Sequence, residues 1–194
     1  MSFEPRDSLI TLPNPNLRTR SKKVGFIDDK IKQLIEDMRN ATLDWEDSRE
    51  NEVGVALAAI QIDQPYRVVI IRDNFEDKNN RNFTVFINPV ITKYEGDIVK
   101  DYEGCLSVKD IYGHVPRYQK VRVKAQNEDG KEFRVTATDF LARVFQHEVD
   151  HTNGIVFVDH IKNSPQDFYI LGNDGQLNEL DKSTTNELSK KLFK

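Results

Sequence analysis

The stretch TDFLARVFQHEVDHTNG, residues 138–154, decides how this chain is read. Leu141, Val144, Phe145 and Val149 recur every three or four residues, the period of a helix with one apolar face. Gly154 supplies the left-handed stop on which such helices end, so the spacing predicts a helix over 138–153. Inside it lies His147-Glu148-Val149-Asp150-His151, the pattern H-E-x-x-H. Residues four apart stand one turn above each other, so both imidazoles can reach one cation. Glu148 sits about 100° further round, near enough to touch a water on that cation without ligating it. That is the place of a general base for hydrolysis. The competing reading is a solvated helix face with two chance histidines. Two of the chain's four histidines at this spacing, with a glutamate between them, weigh against it.

Working outward, the segment before this helix is β-rich. Phe133, Val135 and Ala137 alternate with polar residues, as do Val121, Val123 and Ala125. Asp129-Gly130 between them suits a tight hairpin turn. The run RVVIIR over 67–72 has the character of a buried strand, and 73–82 that of a solvated loop. Over 83–91 a strand is expected that Pro89 ends or confines to an edge. Further upstream, Asp28 and Asp29 offer caps for a helix with Ile31, Leu34, Ile35 and Met38 on one face, fading near Trp45. The charged stretch 46–52 then reads as a loop, and the first 27 residues, with Pro5, Pro13 and Pro15, as an extended arm. The tail from 163 predicts loops with a short terminal helix over 188–193. The sum is α+β with mostly antiparallel strands.

Composition bounds the function. A chain of 194 residues with 38% apolar and 31% charged side chains fits one domain, 1–194, whose last part, 163–194, is an extension of undecided structure. The longest apolar run, 55–60, falls far short of the ~18 residues that span a bilayer, so no membrane is expected. The start, MSFEPRDSL, lacks the pattern of a secretory signal. A net charge of −4 argues against a nucleic-acid partner. One cysteine cannot form an internal disulfide, and a cytoplasmic protein is expected.

Catalytic mononuclear sites take three protein ligands and leave one position open. The metzincin pattern H-E-x-x-H-x-x-G-x-x-H matches through Gly154, but its last position is Phe157. Glu179 stands in a tail with no recognisable helix. His160 reads as a surface or core histidine at a strand end. The remaining candidate is Cys105, in Tyr102-Glu103-Gly104-Cys105-Leu106-Ser107. A lone cysteine is ordinarily a small buried hydrophobe. Here Gly104 permits close backbone approach, Glu103 sets an acid near the thiol, and the histidine pair lacks a partner.

With these residues in view the sequence resembles the peptide deformylases, whose motifs G-x-G-L-A-A-x-Q, E-G-C-L-S and H-E-x-D-H occur in that order. Here they read Gly54-Val55-Ala56-Leu57-Ala58-Ala59-Ile60-Gln61, Glu103-Gly104-Cys105-Leu106-Ser107 and His147-Glu148-Val149-Asp150-His151. The resemblance covers roughly residues 9–162. It implies an α+β fold of mostly antiparallel β-sheets packed around a central helix carrying H-E-x-x-H. It implies one divalent metal on Cys105, His147 and His151, Fe2+ in the cell, with Zn2+, Ni2+ or Co2+ also accepted. The implied substrate is an N-formyl-methionyl peptide, with Glu148 as acid and base and with Gln61 and the Leu106 N–H holding the oxyanion. Gly54, Val55 and Ala56 would pair with the peptide, and Phe140 and Val144 would line a methionine pocket beside Glu103 and Gly104. Arg117 is the expected partner of Glu103, and Asp150 would steady a ligand or the helix. In some family members a terminal helix docks on the ribosome. Lys190, Lys191 and Lys194 are a weak pointer to that contact, and a solvated end explains them equally well.

The chain departs from the pattern at Ala56, in place of the second glycine, at Ile60, in place of a frequent proline, and at Val149 and Thr152, in place of bulkier residues. None removes a ligand or the acid/base; they bear on substrate preference and rate. Two other readings compete: a catalytically silent module that binds nascent or formylated chains, and a zinc endopeptidase. The intact Glu148 disfavours the first, and Phe157 the second.

Overall fold

The computed structural model describes residues 9–49, 52–172, 174–180 and 182–193. After a 3-10 turn at Pro15–Arg18 come helix α1 (Asp29–Asp47), strand β1 (Ala56–Ala58) and a second 3-10 turn (Ala59–Ile62). Strands β2 (Val68–Arg72), β3 (Phe83–Cys105), β4 (Val108–Gln126) and β5 (Glu132–Thr138) lead into helix α2 (Asp139–Thr152). Helix α3 (Val158–Ile161), strands β6 (Phe168–Leu171) and β7 (Leu177–Glu179) and helix α4 (Lys182–Leu192) follow. The strands form one antiparallel sheet in the order β1-β2-β3-β4-β6-β7. β5 joins β4 along 120–126, and β6 joins it along 111–113. The expected α+β class with an antiparallel sheet is what the chain adopts.

Strand β2 explains why two helices can share one sheet. All five of its residues are buried, and alternate side chains point to opposite faces. Val68 and Ile70 enter a cluster with Ile31, Leu34, Ile35 and Met38 of α1. Val69 and Ile71 enter another with Ala142, Val144 and Phe145 of α2. A single run of apolar residues thus serves two cores, each fully buried side chain contributing about 1.5–3 kcal/mol. Asp28 caps α1, its carboxylate accepting from the Ile31 N–H at 3.1 Å. Gly154 ends α2 with φ +77° where the Arg18 carbonyl passes so close that a Cβ would stand 2.3 Å from its oxygen.

Several local expectations need correction. α1 continues to Asp47, and Glu46, expected in a charged loop, is 1% exposed and paired with Arg72. β3 passes straight through Pro89 instead of ending there. A register irregularity between Ile87 and Val90 absorbs the missing donor, with Asn88 at φ 54°. The segment 93–120, which carries no clear strand pattern in the sequence, forms the long β3–β4 hairpin. His160 lies on α3, not at a strand end. The tail holds two strands, and its helix spans Lys182–Leu192 instead of 188–193. In the arm, Leu17 is fully buried, and residues 1–8 lie outside the described part. Among the described residues no helix is long and apolar enough to cross a membrane.

Candidate metal centre

Two elements far apart in sequence supply the centre. β3 ends at Cys105, which pairs with Val108 across the turn holding Leu106 and Ser107. α2 stacks His147 and His151 one turn apart, their rings 4.9 Å between centroids and nearly perpendicular. The Cys105 Sγ lies 3.2 Å from His151 Nε2. Ligand atoms of Cys105, His147 and His151 all fall within 4.8 Å of one another, the one such group among the described residues. His160 and Glu179, the other candidates for the third position, are not part of it.

A buried charge network aims this group. Glu103 Oε2 accepts from His147 Nδ1 at 2.9 Å, and Glu103 Oε1 accepts from Arg117 Nε and Arg143 Nη1 at 2.8 Å each. Burial alone would raise the Glu103 carboxyl, but His147 and Arg117 outweigh it and hold it well below the usual carboxylate range. His147 is raised well above its ordinary value: burial opposes this, and the neighbouring Cys105 and Glu103 prevail. His151, buried beside His147, is held well below. Arg143 also donates to the Val115 and Val99 carbonyls at 2.7 and 2.8 Å, tying α2 to both strands of the hairpin. Asp150 accepts from Arg117 Nη1 at 2.5 Å and bonds His160 Nε2 at 2.7 Å. The expected Glu103–Arg117 pair is present. Arg143 was missed, although its place four residues before His147 put it on the histidine face of the helix.

Glu148 is 4% exposed, and burial pushes its carboxyl up to about 7, with His147 pulling the other way. Its Oε2 and the His151 Nδ1 are buried without a hydrogen-bond partner among the described residues. Gln61 is locked: its Oε1 accepts from the Ala58 N–H at 2.9 Å, while its Nε2 donates to Ser107 Oγ at 3.2 Å and to Cys105 Sγ at 3.4 Å. The donor set tests well against a divalent cation. One thiol and two imidazoles converge, the His151 imidazole is held in its neutral, metal-binding form, and a buried carboxylate oxygen is left over for a water.

The centre opens into a cavity of about 360 Å³ lined by Val55, Ala56, Gln61, Glu103, Gly104, Leu106, Phe140, Val144 and Glu148 among others. Gly54, expected among the substrate contacts, is not on this lining. Its N–H donates to Glu46 Oε2 at 2.8 Å and its carbonyl accepts from Arg72 Nε at 3.1 Å, so both polar groups are used inside the protein. Val55 and Ala56, expected beside it, are on the lining. The Arg72 N–H donates to the Val55 carbonyl, so alternation turns the Ala56 N–H and C=O away from β2. β1 is the edge of the sheet, and that side is open. The Ala56 methyl and Ile60 are both taken up in the core around Phe86 and Phe145. Trp45, Arg49, Glu52, Asp110 and Tyr112 also line the cavity, and no sequence signal marked them.

Comparison with known proteins bears on the same residues. The family model described as polypeptide deformylase matches residues 7–167. A peptide deformylase 1 of Pseudomonas syringae pv. tomato is 41% identical over 160 residues, 82% of this chain and 89% of that one. A peptide deformylase of Agrobacterium fabrum is 40% identical over 170 residues, 88% and 94% of the two chains. Among solved structures, the Synechococcus elongatus peptide deformylase in complex with actinonin superposes with a TM-score of 0.74 at 34% identity, covering 84% of each chain. The Met-Ala-Ser-bound class I type b enzyme of Acinetobacter baumannii gives 0.69 at 31% identity, covering 79% of this chain and 96% of that one. A family match over most of the chain and relatives near 40% identity thus agree with the ordered motifs and the converging thiol and imidazoles, and the chain belongs to the polypeptide deformylase family.

Proposed function

We propose that the chain hydrolyses the N-formyl group from the initiator methionine of newly made polypeptides, releasing formate. The convergence of Cys105, His147 and His151 within 4.8 Å, beside a buried carboxylate oxygen of Glu148 without a partner, carries this reading. Those three residues would hold one divalent ion, Fe2+ in the cell, with α2 as the central helix of the domain. When bound, such an ion supplies Lewis acidity and makes water a nucleophile near neutral pH.

The protein's own groups do the rest. Glu148 takes the proton of the attacking water and delivers it to the departing amine. A carboxyl resting near 7 suits both halves of that task. Gln61, fixed by Ala58 and Ser107, turns the Nε2–H that meets Cys105 Sγ at 3.4 Å to the oxygen on which charge develops, and the Leu106 N–H at the hairpin turn offers a second donor. The peptide adds to the open edge of β1 through Ala56. The methionine side chain enters beside Val144 and Phe140. The chain acts as one unit over 1–194 in the cytoplasm, on chains leaving the ribosome.

The direct assay is formate release from formyl-Met-Ala-Ser by protein purified without oxygen. Turnover by the native chain, and its loss in Glu148→Ala with the ion retained, are expected. Absence of formate from the ion-loaded native chain would refute the reading.

A further inference from the structure

The mouth of the cavity carries a side-chain bridge for which the hydrolytic chemistry has no use. One wall is the segment leading into β1, with Arg49, Glu52 and Val55; the facing wall is the start of β4, with Asp110 and Tyr112. Arg49 Nη1 donates to Asp110 Oδ1 across the gap at 2.8 Å and to Glu52 Oε1 on its own wall at 2.7 Å. The Tyr112 hydroxyl crosses the other way, donating to Glu52 Oε2 at 2.9 Å. The Trp45 ring lies 5.2 Å from the guanidinium carbon and fixes it against α1. The four polar side chains link in the series Asp110–Arg49–Glu52–Tyr112, and the β4 backbone between 110 and 112 closes it into a circuit over the groove.

Two further observations show that the circuit is built for its place. Asp110 holds a left-handed backbone, φ 59°, where glycine is the unstrained residue. The Tyr112 ring presses on Gly104, where a Cβ would come within 2.7 Å of it. The bridge therefore bears on the residue next to Cys105 at one end and on the approach to β1 at the other. β1 itself is three residues long and has one neighbouring strand; Arg72 of β2 anchors its approach at Gly54 and Val55, and the bridge places the outer part of that wall, Arg49 and Glu52.

We propose that Arg49, Glu52, Asp110 and Tyr112 are positioning residues that fix the width of the substrate groove. They govern how tightly a formylated peptide is held and leave the bond-breaking step alone. The inference rests on the deformylase reading above. A peptide that pairs with Ala56 needs that edge already set at strand distance from the hairpin. Without the bridge, ordering the outer part of the wall falls to the binding step and is subtracted from affinity.

Steady-state kinetics on formyl-Met-Ala-Ser and binding of Met-Ala-Ser test this on the ion-loaded full chain. Asp110→Gly removes the carboxylate while suiting the backbone, and Arg49→Gln removes the charge from the other side. Each should raise KM about fivefold, with kcat held within about twofold and Met-Ala-Ser binding weakened in proportion. Asp110→Asn, which keeps a hydrogen-bond acceptor, should recover part of the loss. The double variant should cost no more than Arg49→Gln alone, because that variant already breaks the link to Asp110 along with the one to Glu52. Arg39→Gln, in a surface pair away from the cavity, serves as the unchanged control. Unaltered KM and peptide binding in both single variants overturns the proposal. So does a fall in kcat with KM and binding unchanged, which would assign these residues to the chemistry. A native chain that binds the ion yet releases no formate would instead defeat the underlying reading, and the groove proposal with it.

Discussion

Glu103 Oε2 lies 2.9 Å from His147 Nδ1, across 44 residues of sequence. The strand that ends in Cys105 therefore also orients one of the two imidazoles facing that sulfur. Arg117 and Arg143 hold the carboxylate from two more sides, so one buried side chain joins the hairpin to α2 in the arrangement that brings thiol and imidazoles together.

Replacing Glu103 by glutamine keeps its size and removes its charge. Partners of this kind typically contribute 10–100-fold to metal affinity, and a loss of about that size is expected in competition with a chelator. The carboxyl is depressed in the folded chain, so its contribution to stability is full above the ordinary carboxylate range and is lost as pH falls through the folded value. The native protein should lose stability more steeply than Glu103→Gln below about pH 4.5, seen as a steeper drop in urea midpoint.

Glu148→Gln separates stability from activity. Turnover should fall by about 10²–10⁴ with the ion still bound. In the ion-free protein the sign reverses. At about 1.4 kcal/mol per pH unit, raising the carboxyl from 4.5 to about 7 makes its ionised form destabilising by roughly 3 kcal/mol. The penalty grows as pH rises from about 4.5 to 7 and is complete above that. Ion-free Glu148→Gln should accordingly exceed the native chain in thermal midpoint at pH 8, the two converging near pH 4.

The site was legible where one helix or one short turn carried it. The 3.6-residue period, the terminal glycine and H-E-x-x-H fixed α2 to within a residue, and the ordered motifs joined Cys105 to it. The β3–β4 hairpin was not legible, because 95–102 is exposed over most of its length and alternates too few apolar residues to betray a strand. Pro89 argued against a strand that a local irregularity in fact accommodates. Glu46 looked solvated because its partner, Arg72, lies 26 residues away. The bonds of Gly54 were hidden in the same way: what occupies its backbone groups is that distant pair.

Gln61→Ala should lower kcat by about 10²–10³, the usual cost of one oxyanion donor, with ion content unchanged. Its amide is oriented by Ala58 and Ser107, so Ser107→Ala should produce a weaker effect of the same kind, read as a smaller fall in kcat at constant KM.

The Glu46–Arg72 pair is almost wholly buried. Glu46→Ala leaves the guanidinium without its counter-charge and should cost about 3–5 kcal/mol in urea unfolding. The exposed Glu36–Arg39 pair offers the contrast: Glu36→Ala should cost less than about 1 kcal/mol.

The most direct measurement is the ion content of oxygen-free preparations of the native chain and of Cys105→Ala, taken beside formate release from the same samples. One ion per native chain with active turnover, and neither ion nor formate in the variant, is the expected outcome. Full occupancy and undiminished formate production without the Cys105 sulfur would contradict the assignment of this centre.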